Sequence, residues 1–403
     1  MQSISRPRIP GAAQACRRLL AMFWITVAAS TVAAQPVTEG EAVLPAARGW
    51  HAFRIHKSDV GIWYAHIAKV VPFYGANEVI ACDDRGRLTV LSVYSGKWTA
   101  HDVTCDGQWL APSRPADVDP RCPGREIYVA GKSGTLHRVT LDQQPFARFE
   151  LRSVEIGHVA AEEFHTVLAA DLRPDHPGDE LWAFAIQGRL FELSPRGASG
   201  DAFDTRQIAT LPGRVRDALV IPDRPQAAPL VLAVARSGDL LGLRAHAGGV
   251  EQRVVTHESS GLGRIARRVP APGEPEVVYV TRDDGVLLRL EARGNDWQRE
   301  VIYVGSQGLR GVACGRFYAD GREAVAVYGY GKRVQIVSRT GTDPWQVETV
   351  FGSDEQGHWL AVGELDGRNG TDELVATGFD GTVVLLTRPA GYALTNAAVE
   401  RDD

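Results

Sequence analysis

One short pattern recurs seven times along this chain and constrains its fold more than any other feature. In each unit a glycine follows a polar turn and precedes an apolar run, and the successive glycines are 46 to 54 residues apart. In six units a glutamate and an apolar residue lie eight or nine positions before this glycine, whereas the fourth unit has Pro229-Leu230 there. The seven stretches are DDRGRLTVL at Gly86, GKSGTLHRV at Gly134, AIQGRLFEL at Gly188, ARSGDLLGL at Gly238, RDDGVLLRL at Gly285, GYGKRVQIV at Gly331 and GFDGTVVLL at Gly381.

The runs between these landmarks are typical of β-strands. Segments such as EIYVAG, ELWAFAI and ELVATG are rich in β-branched and aromatic residues, and no segment shows a sustained helical period. Short strands with regular turns at this repeat length indicate radially arranged blades. The sequence therefore predicts an all-β fold, a seven-bladed β-propeller of four-stranded antiparallel blades.

The two ends of the repeat array predict how the ring closes. A tryptophan followed five residues later by a β-branched residue marks the outermost strand, and Trp50 and Ile55 show this pattern before the first full unit. The seventh unit has its third strand and then only a polar tail. We therefore expect the N-terminal strand to complete the last blade, which removes exposed sheet edges.

The segment 1–34 has the composition of a secretory signal peptide. Two arginines, Arg17 and Arg18, precede a short apolar run, and small residues end the segment. A retained membrane anchor is the alternative, although the run is short for a membrane span. The predicted organisation is a signal peptide (1–34), a propeller (35–388) and a tail (389–403), in a periplasmic or secreted protein without a membrane span in the mature chain.

Charge and cysteine content exclude some classes of protein. Segment 1–34 contains four arginines and no acids, so its removal leaves 40 basic against 49 acidic residues, a formal net charge of −9. A nucleic-acid-binding protein usually has a basic face, so nucleic acid is not an expected partner. The four remaining cysteines fit no zinc-binding spacing, and one disulfide stays open as an alternative. They are Cys82, Cys105, Cys122 and Cys314.

The acidic stretches of several units carry a family resemblance. GELDGRNGTDELVATGFDGTVVLL resembles the acidic segment of integrin-type FG-GAP and VCBS repeats, and ADLRPDHPGDELWAF is a weaker copy. The resemblance implies a propeller fold over the whole mature chain. It implies no single activity, because such repeats occur in adhesins, lectins, lyases and assembly proteins.

The last acidic loop offers a candidate metal site. Asp366, Asn369 and Asp372 supply the oxygen ligands that calcium prefers, although Arg368 stands where the resembling families place an acid. A turn held by Asx hydrogen bonds is the alternative. His358 begins the inner strand that ends at this loop, so about six residues of strand, roughly 20 Å, separate the two features. They are expected on opposite faces of the disk.

Equivalent positions at the start of the seven inner strands predict a binding site at the mouth of the axis. Arginines suit carboxylate, sulfate or phosphate, and an aromatic ring suits a sugar face. Tyr64 and His66 lie beside the first of these positions, and Tyr330 lies in an adjacent turn. Around the axis the equivalent residues are Trp63, Ala111, His165, Arg216, Arg264, Arg310 and His358.

Three functional interpretations stay open at this point. The first is a module that binds an anionic small molecule or acidic sugar through this His/Arg ring. The second is a lyase, dehydratase or isomerase, with His165 or His358 as acid and base and Tyr64 or Tyr330 as proton donor. The third is an assembly scaffold with a protein partner. No pattern requires a cofactor, but calcium or another metal stays open, with His66, His165 and His358 as alternative ligands.

Overall fold

A computed structural model shows a ring of seven β-sheets. It describes residues 42–388, except 73, 95–96, 120–124, 145–147, 174–177, 197–202, 223–227 and 366–369. These described residues form 29 strands and no helix, so they contain no helix long and apolar enough to cross a membrane. The predicted signal peptide and C-terminal tail lie outside the described residues.

Each of the first six blades contains four consecutive antiparallel strands, with the earliest strand innermost. Blade 1 has β3 (Ile62–Ala68), β4 (Glu78–Asp83), β5 (Arg87–Tyr94) and β6 (Lys97–Thr104). Blade 2 has β7 (Leu110–Pro112), β8 (Ile127–Gly131), β9 (Thr135–Gln144) and β10 (Arg148–His158). Blade 3 has β11 (Phe164–Ala170), β12 (Glu180–Ala185), β13 (Arg189–Pro195) and β14 (Phe203–Thr210).

The next three blades repeat this arrangement. Blade 4 has β15 (Val215–Ile221), β16 (Leu230–Ala235), β17 (Asp239–His246) and β18 (Gly249–His257). Blade 5 has β19 (Leu262–Arg268), β20 (Val277–Arg282), β21 (Val286–Arg293) and β22 (Asp296–Val304). Blade 6 has β23 (Leu309–Cys314), β24 (Glu323–Gly329), β25 (Arg333–Arg339) and β26 (Gln346–Gly352).

Blade 7 closes the ring with strands from both ends of the chain. Its three C-terminal strands are followed by β2 and then by the short strand β1, so the sheet has five strands. The predicted closure is confirmed, because His51 pairs with Thr387. Beyond β1, Ala46 bridges to Phe351 of blade 6, which ties the two blades together. The strands are β1 (Ala42–Leu44), β2 (His51–Lys57), β27 (Gly357–Gly363), β28 (Glu373–Gly378) and β29 (Thr382–Thr387).

Alternation along the strands places apolar side chains between neighbouring blades. The second strand of most blades is buried on both sides, as in Val231 to Ala235 of blade 4. One cluster joins Tyr128 and Leu136 of blade 2 to Phe164 and Leu181 of blade 3. This packing of sheet against sheet excludes water from the blades and holds each inner strand at the axis.

The recurrent glycine adopts a backbone conformation that other residues disfavour. It has positive φ in six units, for example 97° at Gly238, whose main-chain NH bonds the Ala235 oxygen. The prediction for unit 6 was wrong by one residue. There Lys332, not Gly331, has positive φ (60°) and makes the equivalent hydrogen bond to Gly329. The registers of strand and turn therefore agree across all seven blades.

The recurrent glutamate is explained by the architecture. In blade 1 the carboxylate of Glu78 accepts hydrogen bonds from the main-chain NH groups of Val70 (2.7 Å) and Val71 (3.0 Å). Glu180 and Glu373 cap the corresponding loops in the same way. These bonds satisfy buried NH groups where the chain leaves the inner strand. Glu78, Glu180 and Glu373 thus hold the loops, whereas Glu276 and Glu323 pair with arginines.

Candidate functional site: the axial channel

A ring of β-bulges places the predicted residues at one end of the axis. In blade 4, Val215 pairs with Ala235 and Asp217 with Val234, which leaves Arg216 as the extra residue. The same bulge occurs near the start of the inner strand in four other blades. A bulge re-aims a side chain and raises local twist. The extra residues there are Trp63, His165, Arg310 and His358.

Two members of the predicted ring were assigned one position away. In blade 5 the bulge spans Gly263 and Arg264, so Gly263 is equivalent to Arg216 and Arg264 lies one layer further along the axis. Blade 2 has no bulge, because Ala111 pairs regularly with Ala130. Counting residues from a distant landmark could not detect these one-residue differences. Ala111 and Arg264 therefore belong to a second layer.

This second layer closes the channel. The Arg264 guanidinium lies 4.6 Å from the centre of the Trp359 ring and 5.6 Å from that of Tyr64. Arg264 Nη1 donates to the main-chain oxygen of Arg216 (2.7 Å), and the Tyr64 hydroxyl donates to that of His165 (2.8 Å). Tyr64, Arg264, His165 and Arg216 are 4–7% exposed, and Trp359 is 8% exposed. They form a plug made of Tyr64, Arg264 and Trp359.

The other two predicted arginines already have a counter-ion. Arg216 Nη1 contacts both carboxylate oxygens of Asp283 (2.8 and 2.9 Å), and Arg310 Nη1 contacts one of them (2.8 Å). Arg310 also lies 5.2 Å from the centre of the Tyr330 ring. These arginines and Tyr330 thus lie on the face of the glycine turns.

Both ring histidines are buried and uncharged at neutral pH. Burial and the nearby guanidinium of Arg264 hold the pKa of His358 well below its usual value, and His358 Nδ1 donates to the main-chain oxygen of Trp63 (2.9 Å). Burial also holds the pKa of His165 well below its usual value, and the nearby charges of Arg214, Arg264 and Arg216 and the His358 ring add to this effect. Burial raises the pKa of Tyr64 to about 12. These environments do not favour proton exchange near pH 7.

Trp63 is packed rather than free to stack on a ligand. Its ring centre lies 4.2 Å from that of His358 and 5.2 Å from that of Phe379, both edge-on. Of the predicted residues, the structure brings together Trp63, Tyr64, His165, Arg264 and His358 around the plug. His66 lies on the far side of the plug, and Tyr330 lies on the glycine-turn face.

Beyond the plug the axis widens into a cavity of about 420 Å³. Its wall consists of the middle and final residues of the seven inner strands, from the plug to Val269, which is 80% exposed. Neither His165 nor His358 lines it. The cavity therefore approaches the surface on the face of the acidic loops, opposite to the mouth that the sequence predicted. Its charged and titratable wall residues are Tyr64, His66, Arg114, Asp217, Arg264, Arg267 and Cys314.

Arg114 is the least compensated charge in this cavity. No hydrogen bond or ion pair joins its guanidinium to another residue in the part of the chain that the structure describes. Its surface is exposed, but the protein around it partly desolvates the guanidinium and lowers its pKa, and the charge of Asp217 opposes this shift. Arg267, in contrast, is paired with Glu276 at 2.7 Å. The Arg114 side chain is exposed, so its guanidinium is accessible from the cavity.

Asp217 and His66 complete the polar wall. Asp217 accepts hydrogen bonds from the main-chain NH groups of Ala218 (2.9 Å) and Ile265 (3.1 Å), and burial raises its pKa to about 6. Burial and the Arg114 charge lower the pKa of His66 to about 3. The sequence analysis missed Arg114 and Asp217. A comparison of the residues that follow each bulge position, blade by blade, would have revealed Asp217.

The metal predictions have different outcomes. Within the described ranges, no three His, Cys, Asp or Glu side chains are grouped so as to hold a metal ion, so His66, His165 and His358 form no such group. Asp366 and Asn369 lie outside the described residues. Asp372 accepts a hydrogen bond from the main-chain NH of Arg316 (2.6 Å), which ties this loop to blade 6. Calcium at this loop stays a prediction.

The acidic loop was expected at the opposite end of its inner strand from His358. Gly357, beside His358, pairs with Gly378, while Gly363 at the other end of β27 pairs with Glu373. His358 and Asp372 thus lie at opposite ends of the strand, as predicted.

The predicted disulfide alternative concerns four cysteines. Cys82, Cys105 and Cys314 are free, and Cys122 lies outside the described residues.

Comparisons with known proteins support the fold. No protein family and no curated protein matches this sequence. Crystal structures of BBS1N in complex with ARL6DN, soaked with mercury or lead, superpose with a TM-score of 0.57 at 13% identity, covering 85% of this chain and 97% of theirs. The WD40 β-propeller domain of Doa1 gives 0.52 at 13% identity, covering 83% and 98%. At this identity the likeness shows a propeller fold alone, and FG-GAP or VCBS membership stays a prediction.

Proposed function

We propose that this propeller binds a small carboxylate-bearing, hydroxylated ligand, such as an acidic sugar, inside its axial channel. The observation that carries the proposal is Arg114, a guanidinium on the wall of the cavity without a bonded partner among the described residues. A guanidinium matches a carboxylate with paired N–H donors, so a ligand carboxylate supplies the ion pair that Arg114 lacks among the described residues. We further propose a periplasmic or secreted location, on the composition of segment 1–34.

The rest of the cavity suits the hydroxyl groups of such a ligand. Asp217 accepts, and Thr166 both donates and accepts, on the wall shared with Arg114. About 420 Å³ falls within the size range of small-molecule sites. Arg264, at the floor, adds positive charge beneath the ligand. The proposal keeps the anionic ligand expected from the sequence but moves it from the glycine-turn mouth to the channel.

Binding is better supported than catalysis. A lyase, dehydratase or isomerase needs a base that is poised near neutral pH and that reaches the ligand. His66 is the histidine on the cavity wall, and its pKa of about 3 makes it a weak base. Asp217, with a pKa of about 6, is the group that would serve if turnover were found.

Protein binding is the second candidate, and exposed valines favour it. Val254, Val301 and Val347 are 45–56% exposed on the outer strands of blades 4, 5 and 6. Neighbouring blades thus present apolar side chains on the same side of the ring. The similar BBS1N was crystallised in complex with ARL6DN, another protein.

A pair of matched sugars tests the channel proposal. Titration calorimetry would compare glucuronate with glucose, which has the same ring but no carboxylate, against wild type, Arg114→Gln and the exposed control Arg253→Gln. We expect saturable binding of glucuronate alone, lost by at least tenfold in Arg114→Gln and unchanged in Arg253→Gln. Equal heats for both sugars, or unchanged affinity in Arg114→Gln, would overturn it and leave protein binding as the better candidate.

A further inference from the structure

The glycine-turn face carries a second basic cluster, separated from the channel by the plug. Arg216 and Arg310 meet there on the single carboxylate of Asp283. Arg214 immediately precedes the inner strand of blade 4, and its main-chain oxygen bonds the NH of Arg236 (2.9 Å). We call these four arginines and Asp283 the rim cluster. It spans the inner ends of blades 4, 5 and 6.

Charge in the rim cluster is unbalanced. Arg216 and Arg310 share the Asp283 carboxylate. Arg214 and Arg236 lie beside them without an ion pair among the described residues, so the four arginines carry three positive charges more than Asp283 offsets. No ion pair or side-chain hydrogen bond joins Arg214 or Arg236 to any residue that the structure describes, and the Arg214 Nε atom is buried without a partner. Burial and the charges of Arg236, Arg264 and Arg310 lower the pKa of Arg214. Like charges at this density are destabilising unless an anion accompanies them.

The main chain at Gly261 packs closely against the carboxylate of the cluster. Gly261 lies between the blades, where an added Cβ would come within 2.7 Å of the Arg236 main-chain oxygen and 2.8 Å of Asp283 Oδ2. The same atom would lie 3.5 Å from Arg216 Nη1. Only glycine allows this close approach to Asp283, and the ring of Tyr330, 38% exposed, stands over Arg310 at the edge of the cluster.

We propose that the rim cluster is a binding site for a tetrahedral oxyanion, a phosphate or sulfate group. The guanidinium groups of Arg216 in blade 4 and Arg310 in blade 6 converge there, and such donors match the oxygens of these anions. A doubly charged anion offsets the three excess positive charges better than a single carboxylate does. Phosphate itself and a phosphorylated or sulfated small molecule share this chemistry. The site is independent of the channel ligand, because the plug separates the two.

Anion titrations at constant ionic strength test this site. Inorganic phosphate and sulfate would be titrated into wild type by calorimetry, with chloride replacing them in the control, and glucose 6-phosphate would be compared with glucose. We expect saturable binding of phosphate and sulfate, weakened about tenfold in Arg236→Gln and in Arg214→Gln. Tighter binding of glucose 6-phosphate than of phosphate identifies an ester, and equal binding identifies the free anion.

Two further variants make the result decisive. Arg114→Gln, in the channel, should leave phosphate binding unchanged, whereas it removes glucuronate binding, so the two proposals fail separately. Asp283→Asn removes the competing carboxylate and should tighten phosphate binding if the variant stays folded by circular dichroism. Binding that chloride suppresses as well as phosphate does, or that survives both Arg236→Gln and Arg214→Gln, would overturn the proposal.

Discussion

The hydroxyl of Tyr64 on blade 1 donates to the main-chain oxygen of His165 on blade 3, at 2.8 Å. The bond passes the entrance of blade 2, whose inner strand has no bulge and presents the small side chain of Ala111 there. A missing bulge in one blade thus lets a tyrosine from its neighbour reach across. Together with Arg264, this bond gives the channel one closed end and one open end.

Removing the Tyr64 hydroxyl should destabilise the fold. Tyr64→Phe leaves the buried His165 oxygen without this donor, so we expect the free energy of unfolding to fall by about 0.5–1.5 kcal/mol. Tyr330→Phe, at an exposed ring, should change it by less than about 0.5 kcal/mol. Urea unfolding followed by tryptophan fluorescence measures both. Equal losses would mean that the Tyr64 bond contributes nothing specific.

Burial of His66 should appear in the pH dependence of stability. Its folded-state pKa, about 3, lies below the unfolded value of 6.5, so the unfolded state binds more protons between these two pH values. Stability contributed at pH 7 is therefore lost as pH falls from 6.5 toward 3, by at most about 1.4 kcal/mol per pH unit. His66→Gln should gain relative to wild type by this slope on acidification. A difference between the two proteins that does not vary with pH would contradict the assignment.

Ionisation of Asp217 should oppose anion binding in the channel. Its pKa is about 6, so between pH 7.5 and 5.5 it gains a proton while a ligand carboxylate stays ionised. Arg114, Arg264 and His66 face the same cavity, and His66 stays neutral in this range. We expect glucuronate affinity to rise severalfold on this acidification in wild type. Calorimetry on Asp217→Asn should show a flat profile, and a slope that persists there would assign the effect to another group.

Positive φ and crowding make the glycine of blade 4 sensitive to substitution. In Gly238→Ala the new Cβ would meet the Glu258 main-chain oxygen at 2.1 Å, in addition to the cost of a left-handed conformation of roughly 1–2 kcal/mol. Gly294 also has positive φ, 65°, but has open space around it. We expect a larger loss of unfolding free energy in Gly238→Ala than in Gly294→Ala by chemical denaturation. Similar losses would remove the role of the close approach.

Lys332 offers the converse test. It occupies with φ 60° the position that glycine holds in the other blades. Lys332→Gly should relieve this strain and raise the melting temperature, provided that the relief of roughly 1–2 kcal/mol exceeds the added chain entropy of glycine. Its ammonium contact with the Asp354 oxygen is exposed and adds little. A lowered melting temperature would show that the lysine contacts outweigh the strain.

The repeat made the fold predictable, and the limits of the repeat explain what was missed. Period and turn residues depend on local backbone chemistry, so blade number, strand order and closure by β2 followed from them. The bulge in blade 5 and its absence in blade 2 are differences of one residue, and they moved Arg264 and Ala111 to another layer. The pairing of Asp283 with two arginines, and the open end of the channel, depend on side-chain packing across blades. No spacing along the chain encodes that packing.

A crystal structure with glucuronate is the decisive test of ligand binding in the channel. We expect ligand density on the acidic-loop side of the plug, with the carboxylate within hydrogen-bond distance of Arg114 and a hydroxyl on Asp217. Density at the rim cluster with an empty channel, or at neither place in a crystal soaked at saturating concentration, would contradict it.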